Sequence, residues 1–425
     1  MSAVIPSSPA RVYYGWKVLA ALFVAGFLVY GGGLYCFVLF VTPLTQEFGW
    51  SRAATGGIVS AFWLSAPLLV VGGVAMRRFG IARLLATGIV LEAVCVLALA
   101  TVSTLPQMYL LRAAMGLGKI LFAVTIPVTI ARWFARRFGL ALGIAWAGWH
   151  IGGMVLAPIA EWIIQHFGWR GACIALGAAL LVVALGPVMW VLRIRGPDEL
   201  GLGLDGDPLP ATTAVPSGPA VTAPPAPPEG RLRDLLGSPL LWLIAAATVC
   251  FYLTYGGVLT HQDAIVQAAG YSAGFSSIVL GSTALFAAVG GLATGWLADH
   301  QPLPRVAVVV HLALLVGAAA MLSVCLAPST AGLAVYAAFF GVMIGGSDIF
   351  FVKLMRARFP HVNVDHLYSV WYCVELGTLW LSAIVAGQVF DLTGNYARTL
   401  LLLVASAALA CVLSAFAVRA RPSRP

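Results

Sequence analysis

Long apolar segments separated by short polar ones run through the whole chain. A membrane-spanning helix needs about 20 consecutive apolar residues. The pattern predicts six such spans in the first half, spans 1 to 6, at 14–42, 53–76, 82–103, 106–130, 138–164 and 171–192. It predicts six more in the second half, spans 7 to 12, at 240–267, 273–297, 305–326, 331–354, 366–389 and 396–418. The predicted fold is an all-α membrane protein with twelve transmembrane helices.

One long polar stretch, 193–238, separates the two groups of spans. Its core, PLPATTAVPSGPAVTAPPAPPEG, is proline-rich and carries almost no large apolar side chain, so we expect a flexible linker. The predicted domains are therefore an N-terminal six-helix bundle at 1–192, the linker, and a C-terminal six-helix bundle at 239–425. The residues before span 1 lack the layout of a signal peptide, and we expect span 1 to be retained.

Composition excludes several classes of protein. Of 425 residues, 61% are apolar and 9% are charged, whereas a soluble chain carries about 25% charged residues. No P-loop, HExxH or GxSxG motif occurs, so neither an enzyme nor an ATP-driven pump is predicted. All seven cysteines fall in apolar runs without a CxxC pair, and the sequence predicts no metal site and no cofactor.

The chain has a net charge of +9, and the placement of its lysines and arginines agrees with the positive-inside rule. With the N-terminus in the cytoplasm, eighteen lysines and arginines fall on the cytoplasmic side of the bilayer. Three fall on the other side, Arg52, Arg170 and Arg398. Both termini and the linker are then predicted to be cytoplasmic. The charge is explained without a nucleic-acid partner, and weak attraction to anionic lipid is the plainest interpretation of these arginines.

The two halves of the chain resemble each other. Val29-Tyr30-Gly31-Gly32 in span 1 matches Thr254-Tyr255-Gly256-Gly257 in span 7, and Gly49-Trp50-Ser51 matches Gly270-Tyr271-Ser272 before spans 2 and 8. The order and spacing indicate a duplicated six-helix unit, an arrangement typical of transporters with a cavity between two bundles. The hydroxyls of Tyr30 and Tyr255 can bind a carboxylate there, although core packing explains both residues equally well.

Several motifs also resemble a known family. The resemblance rests on Tyr14-Gly15-Trp16-Lys17, Phe48-Gly49-Trp50-Ser51-Arg52, Arg132-Trp133-Phe134 followed by Arg137 and Gly139-Leu140-Ala141-Leu142-Gly143, Gly168-Trp169-Arg170, and Pro197-Asp198-Glu199-Leu200-Gly201-Leu202. With these motifs the sequence resembles the major facilitator superfamily, and within it bacterial monocarboxylate porters and oxalate/formate-type antiporters. The resemblance implies alternating access, a pore lined mainly by spans 1, 2, 4, 5, 7, 8, 10 and 11, and often proton coupling.

Two departures from the family pattern affect the expected site. The loop after span 2 has Arg77 where the family carries an aspartate, whereas the second-half copy keeps Asp299. We expect these two residues to form a one-sided gating contact. Monocarboxylate porters also tend to carry an arginine in span 8, and the matching position here is Gly291. The usual carboxylate anchor is therefore missing.

Span 4 carries two cations that we expect to replace that anchor. Arg112, Gly116 and Lys119 are spaced i, i+4, i+7 and share one helical face. An ionisable side chain inside a span costs at least about 2.5–3.5 kcal/mol, so it needs a partner, a wet cavity or a function. Our hypothesis is that this face lines the cavity and that Lys119, with Arg112, attracts an anionic substrate. The alternative is an internal ion pair with a carboxylate on another helix.

Acidic and aromatic residues complete the candidate site. In span 11, Trp371, Tyr372 and Glu375 lie on or near one helical face, and a carboxyl group in a low-dielectric cavity can carry a proton. Glu375 is the first candidate for proton coupling, the alternative being a fixed counter-ion to Lys119 or Arg112. Asp348 in span 10 is the second candidate, although a gating or pairing role explains it better.

The remaining ionisable residues carry weaker predictions. His150 in span 5 is interpreted equally well as a cavity residue that can titrate near neutral pH or as a packing histidine. Glu92 in span 3 and His311 in span 9 lie in spans that the family places outside the pore. We therefore expect no functional role for Glu92 or His311.

The leading functional hypothesis is a bacterial inner-membrane transporter of small organic monocarboxylates, which works as a monomer by proton symport or anion exchange. The first alternative is an exporter of amphipathic or cationic compounds, against which the cationic face of span 4 argues. The second is a non-transporting membrane sensor on the same fold. The short termini and the linker offer no signalling domain to such a sensor.

Overall fold

The computed structural model describes residues 13–50, five positions between 54 and 65, residues 72–208 and residues 235–423. Helices make up nearly all of these residues, and no β-strand occurs among them. The α-helices are α1 (Tyr14–Tyr30), α2 (Val41–Phe48), α3 (Gly72–Phe79), α4 (Ile81–Leu99), α5 (Leu105–Ala131), α6 (Phe138–Ala179), α7 (Gly186–Val191), α8 (Pro239–Ala268), α9 (Ala273–His300), α10 (Leu303–Leu326), α11 (Thr330–Arg358), α12 (Val364–Thr393) and α13 (Tyr396–Arg419).

Ten segments of the described chain are long and apolar enough to cross a membrane. One of them, Phe138–Val191, covers the predicted spans 5 and 6 together. Its helix is broken at Gly168 (φ 73°, ψ 167°), a backbone conformation that glycine adopts without strain. The predicted span 2 lies mostly outside the described residues. The all-helical fold is confirmed for the described residues, and the number of twelve spans stays a prediction.

The predicted span 1 does not continue as one regular helix to residue 42. After α1 the chain forms a π-helical turn at Gly31–Tyr35 and a 3₁₀ turn at Cys36–Phe40 before α2 begins. Three consecutive glycines open the π-helical turn, and glycine costs an α-helix about 1 kcal/mol per residue relative to alanine. Apolar patterning did not reveal this change, because the segment stays apolar throughout.

We call the helices α1–α7 the first bundle and α8–α13 the second bundle, and the two contact each other through glycines on α6 and α9. A Cβ on Gly143 would lie 2.3 Å from the carbonyl oxygen of Gly291, and one on Gly139 would lie 2.5 Å from that of Gly295. The helices therefore pack backbone to backbone, as small residues allow in membrane bundles. A Cβ on Gly291 would lie 3.3 Å from the carbonyl oxygen of Gly345, a slightly tight contact, and 3.6 Å from that of Gly143, an ordinary one.

The first part of the predicted linker folds back on the first bundle. The Asp205 carboxylate accepts hydrogen bonds from the backbone N–H groups of Ala135 (3.0 Å) and Arg136 (2.9 Å). Arg136 also forms a salt bridge with Asp207 (2.8 Å), and the Tyr13 hydroxyl donates to the carbonyl of Trp133. We call this end of the molecule, with Tyr13 and residues 132–137 and 197–208, the linker face. The rest of the predicted linker, 209–234, lies outside the described residues, and the predicted domain division stays a prediction.

Candidate functional site

A cavity of about 220 Å³ lies between the two bundles. The first bundle contributes residues of α1, the following π-helical turn, α5 and α6, and the second contributes residues of α8, α11 and α12. These helices correspond to the predicted spans 1, 4, 5, 7, 10 and 11. The polar and aromatic residues in the cavity wall are Tyr30, Tyr35, Lys119, Trp146, Trp149, His150, Tyr255, Thr260, Asp348, Tyr372 and Glu375.

The structure brings most of the candidate site residues into this one cavity. The candidates that line it are Lys119, His150, Tyr30, Tyr255, Tyr372, Asp348 and Glu375. Arg112 and Trp371 are buried outside its wall. Arg77 lies in α3, and its side chain is outside the described part of the structure, so its gating role stays a prediction.

Lys119 is held on the first-bundle side of the cavity by an aromatic platform. Its Nζ atom lies 4.6 Å from the centre of the Tyr30 ring, and the side chain is 4% exposed. Tyr30 stacks on Trp149 with ring centres 3.7 Å apart and planes 7° from parallel. A cation over an aromatic face is attracted by the ring quadrupole, more strongly when water is excluded. The platform therefore fixes a positive charge at the cavity wall.

The two acidic residues in the cavity wall, Asp348 and Glu375, have different surroundings. Asp348 Oδ1 accepts hydrogen bonds from the Tyr252 hydroxyl (2.6 Å) and the Ser347 hydroxyl (3.1 Å). Glu375 Oε2 is buried and has no hydrogen-bond partner among the described residues. Hydroxyl donors stabilise a carboxylate, and a buried carboxylate oxygen without a donor is costly. Asp348 is therefore suited to stay fixed, and Glu375 is the better placed of the two to gain and lose a proton.

The internal repeat places opposite charges at corresponding positions. Lys119 follows Gly116 by three residues on α5, and Asp348 follows Gly345 by three residues on α11. Both glycines mark a close backbone contact, since a Cβ on Gly116 would lie 1.8 Å from the carbonyl oxygen of Phe62. At Gly345 it would lie 1.9 Å from the carbonyl oxygen of Ala287. The cavity therefore has a cation on its first-bundle side and acids on its second-bundle side.

Tyr35 is a cavity residue that sequence reasoning missed. Its hydroxyl lies 3.3 Å from Nδ1 of His150, which places a polar pair in the cavity wall. If the α-helix continued regularly, Tyr35 would follow Tyr30 by five residues and point about 140° away from it around the helix axis, away from the cavity. The π-helical turn has wider i→i+5 spacing and brings Tyr35 back to the face of Tyr30. Only the three consecutive glycines of this segment give a hint of that turn.

Asp299 joins the two bundles at the linker face. Its carboxylate accepts hydrogen bonds from the backbone N–H groups of Gly139 (2.6 Å) and Leu140 (2.8 Å) in the first turn of α6. A carboxylate at a helix N-terminus is favoured by the free N–H groups and the helix dipole. Lys353 donates to the carbonyls of Ala298 and Gln301 beside it. Asp299 thus holds this side of the interface together, a placement compatible with the predicted gating role.

Replacing Asp299 by asparagine is expected to loosen the interface between the bundles on the linker face. Asparagine keeps one acceptor oxygen and loses the charge, and hydrogen bonds to charged groups contribute about 1.5–3 kcal/mol. The population should therefore shift toward open forms of the linker face by about tenfold or more. Distances between spin labels at the exposed positions 83 and 305, in a chain without native cysteines, report this opening.

Asp205 offers a matched control for this substitution. It accepts hydrogen bonds from backbone N–H groups in the same loop region, but its three partners, Ala135, Arg136 and Arg137, all belong to the first bundle. We expect Asp205→Asn to leave the label distances unchanged. Equal distances in Asp299→Asn and the parent protein would show that this contact does not hold the bundles together.

Comparison with known proteins places the chain in a family. Residues 22–374 match the Major Facilitator Superfamily. The chain is 30% identical over 315 residues to mouse monocarboxylate transporter 11, an alignment that covers 72% of this chain and 64% of that protein. It is 26% identical over 398 residues to bovine monocarboxylate transporter 13, covering 90% of this chain and 84% of that one.

Solved structures have the same fold. The superfamily transporter FucP in the outward conformation matches with a TM-score of 0.68 at 14% identity, covering 97% of this chain and all of that one. The proton:xylose symporter XylE bound to 6-bromo-6-deoxy-D-glucose matches with a TM-score of 0.70 at 12% identity, covering 94% of each chain. The resemblance seen in the sequence is confirmed: the chain belongs to the Major Facilitator Superfamily and is a multi-pass membrane transporter, not an enzyme.

Proposed function

We propose that the protein carries small organic monocarboxylates across a bacterial inner membrane by alternating access. The observation that carries this proposal is the position of Lys119, which lies over Tyr30 in the wall of a cavity shared by both bundles. A buried cation in surroundings of low dielectric constant attracts an anion more strongly than it would in water. The substrate carboxylate is expected to bind on the first-bundle side, beside Lys119.

The size of the cavity favours a small substrate over the bulky compounds of an exporter. Pockets for drug-sized ligands measure about 300–1,000 Å³, and this cavity measures about 220 Å³. Aromatic and aliphatic side chains such as Tyr255, Leu259 and Leu376 supply an apolar wall for a short hydrocarbon chain. The names of the mouse and bovine relatives agree with a monocarboxylate substrate.

The acids across the cavity supply a route to coupling with protons. An anion beside Lys119 is repelled by ionised Glu375, and protonation of Glu375 removes that repulsion. Anion and proton then bind together, which gives symport when both leave on the other side and exchange when one anion replaces another. We propose that the protein acts as a monomer with both termini and the linker in the cytoplasm, in agreement with the distribution of its lysines and arginines.

Thermal stability of the purified protein against a panel of solutes tests the substrate class. A ligand at about 100 times its dissociation constant adds about 2.7 kcal/mol to the free energy of unfolding. We expect a group of short-chain monocarboxylates to raise the melting temperature, and cations and large amphipathic solutes to leave it unchanged. Flux of the stabilising acids into proteoliposomes then separates a transporter from a sensor, which moves nothing. Stabilisation by cations or bulky apolar solutes alone would instead support an exporter.

A further inference from the structure

Glu92 is a fully buried carboxyl group that the proposed transport cycle does not use. It lies on α4 with a side-chain exposure of 0%. Neither of its carboxylate oxygens has a hydrogen-bond partner within the part of the chain that the structure describes. An ionised carboxylate without a donor in such a place is strongly unfavourable, and a protonated one avoids the buried charge. The sequence analysis predicts no functional role for this residue.

Gly33 in the π-helical turn touches Glu92 directly. A Cβ on Gly33 would lie 1.8 Å from Glu92 Oε1, so the glutamate occupies the space that a side chain at position 33 would need. The same turn ends at Tyr35, whose hydroxyl lies 3.3 Å from His150 in the cavity wall. Gly33, which contacts the buried carboxyl group, is therefore only two positions before Tyr35, which lines the cavity. Single π-helical turns occur frequently at functional sites.

Arg112 contacts the same glycine through its backbone carbonyl. Its Nη1 atom donates to the carbonyl oxygen of Gly33 (3.0 Å), and its guanidinium lies 3.5 Å from the centre of the Phe37 ring. The Nε–H group of Arg112 has no acceptor among the described residues, just as Glu92 has no donor. A guanidinium and a carboxylate are complementary partners for a bidentate ion pair. The Nε–H group of Arg112 and the carboxylate oxygens of Glu92 are thus chemically complementary, and Gly33 contacts both residues.

From this geometry we infer that Glu92 is a proton-binding site, and that its proton controls the π-helical turn at Gly31–Tyr35. In the described conformation Glu92 carries the proton and Arg112 binds the Gly33 carbonyl. When the O–H bond of the carboxyl group breaks, water takes up the proton and the electron pair stays on the oxygen, and the carboxylate formed draws Arg112 away from Gly33. The turn then loses its side-chain hydrogen bond, and Tyr35 shifts in the cavity wall. The site is distinct from Glu375, and only its link to substrate rests on the proposed function.

Several titratable or charged groups surround Glu92 and bear on its pH dependence. Arg112 and Lys119 from α5 and Tyr30 from α1 interact with it electrostatically, as does Cys95 on its own helix. At the other end of the turn, the imidazole of His150 on α6 lies 3.3 Å from the Tyr35 hydroxyl and is a second titratable group. A test must therefore separate Glu92 from His150.

Two spectroscopic measurements on the full-length protein in liposomes test the inference without a transport assay. Infrared spectra should contain a protonated-carboxyl band at neutral pH that is absent in Glu92→Gln and present in Glu375→Gln. Fluorotyrosine placed at position 35 should give a ¹⁹F signal that shifts with pH in the parent protein and in His150→Gln, but not in Glu92→Gln. Adding the acid found by thermal stabilisation should change the infrared band if the site is linked to substrate.

The outcomes separate this inference from the proposed function. A carboxyl band that Glu92→Gln leaves unchanged, or a ¹⁹F shift that disappears only in His150→Gln, overturns the role of Glu92. If Glu92→Gln does not fold, Glu92→Asp replaces it, and a band that moves in frequency with the shorter side chain supports the assignment while an unmoved band overturns it. Failure of all acids to bind, with both spectroscopic signals intact, removes the monocarboxylate proposal and leaves the proton site standing.

Discussion

Replacing Lys119 by methionine is expected to weaken binding of the substrate anion strongly and to leave the fold intact. Methionine keeps most of the volume of the lysine stem over Tyr30, so packing changes little. Removing one partner of a buried, hydrogen-bonded charge pair costs about 2–5 kcal/mol, which corresponds to a loss of affinity of about 30-fold or more. Titration calorimetry with the acid that stabilises the parent protein measures this loss, and uptake into proteoliposomes should fall with it.

Two further variants, one at Lys17 and one at Lys119 itself, test whether the effect is specific to a cation in the cavity. Lys17 is exposed near the linker face, and Lys17→Met removes the same charge outside the cavity. We expect that variant to bind as the parent does. Lys119→Arg keeps a cation and should retain part of the affinity, since an ammonium and a guanidinium differ in shape and hydration. Unchanged affinity in Lys119→Met would remove Lys119 from the binding site, whatever the substrate.

The cationic face of α5 shows what periodicity can and cannot predict. The i, i+7 spacing placed Arg112 and Lys119 on the same helical face, and both do point toward α1 and its π-helical turn. They lie about 10 Å apart along the helix, at about 1.5 Å per residue. The cavity reaches the level of Lys119, whereas Phe37 and Phe62 cover Arg112. Periodicity predicts a direction around the helix axis and contains no information on how deep a cavity extends.

Some residues owe their place in the site to irregular backbone or to a partner far along the chain. Their roles could not be predicted from the sequence. Tyr35 enters the cavity because of a π-helical turn, which apolar patterning does not reveal. Tyr252 supports Asp348 across 96 positions of sequence, and no local signal marks that pair. The candidates Tyr30 and Tyr255 were found because the internal repeat gives each of them a counterpart. The internal repeat and the charged residues inside predicted spans thus indicated site residues. The pairing of side chains from distant segments could not be predicted.

Replacing Glu375 by glutamine is expected to uncouple transport from protons. Glutamine has nearly the shape of a protonated glutamic acid but cannot release a proton, so the anion binds without a proton partner. Uptake driven by a pH gradient should fall by about tenfold or more, which corresponds to a loss of at least about 1.4 kcal/mol of coupling free energy. Exchange of internal for external substrate should continue, because it needs no net proton movement. Both rates can be measured on one protein preparation. Proteoliposomes loaded with substrate report exchange, and proteoliposomes loaded with buffer under a pH gradient report coupled uptake.

Asp348→Asn is the matched control, since it makes the same chemical change on the neighbouring helix. Asparagine keeps an acceptor oxygen for the hydroxyls of Tyr252 and Ser347, so the local structure should be preserved. Because Asp348 already accepts two hydrogen bonds while Glu375 Oε2 accepts none among the described residues, we expect gradient-driven uptake to survive in Asp348→Asn better than in Glu375→Gln. The opposite ranking would assign the proton to Asp348. Loss of exchange together with uptake in Glu375→Gln would instead make Glu375 a fixed counter-ion of Lys119, because a counter-ion is needed in every step of the cycle.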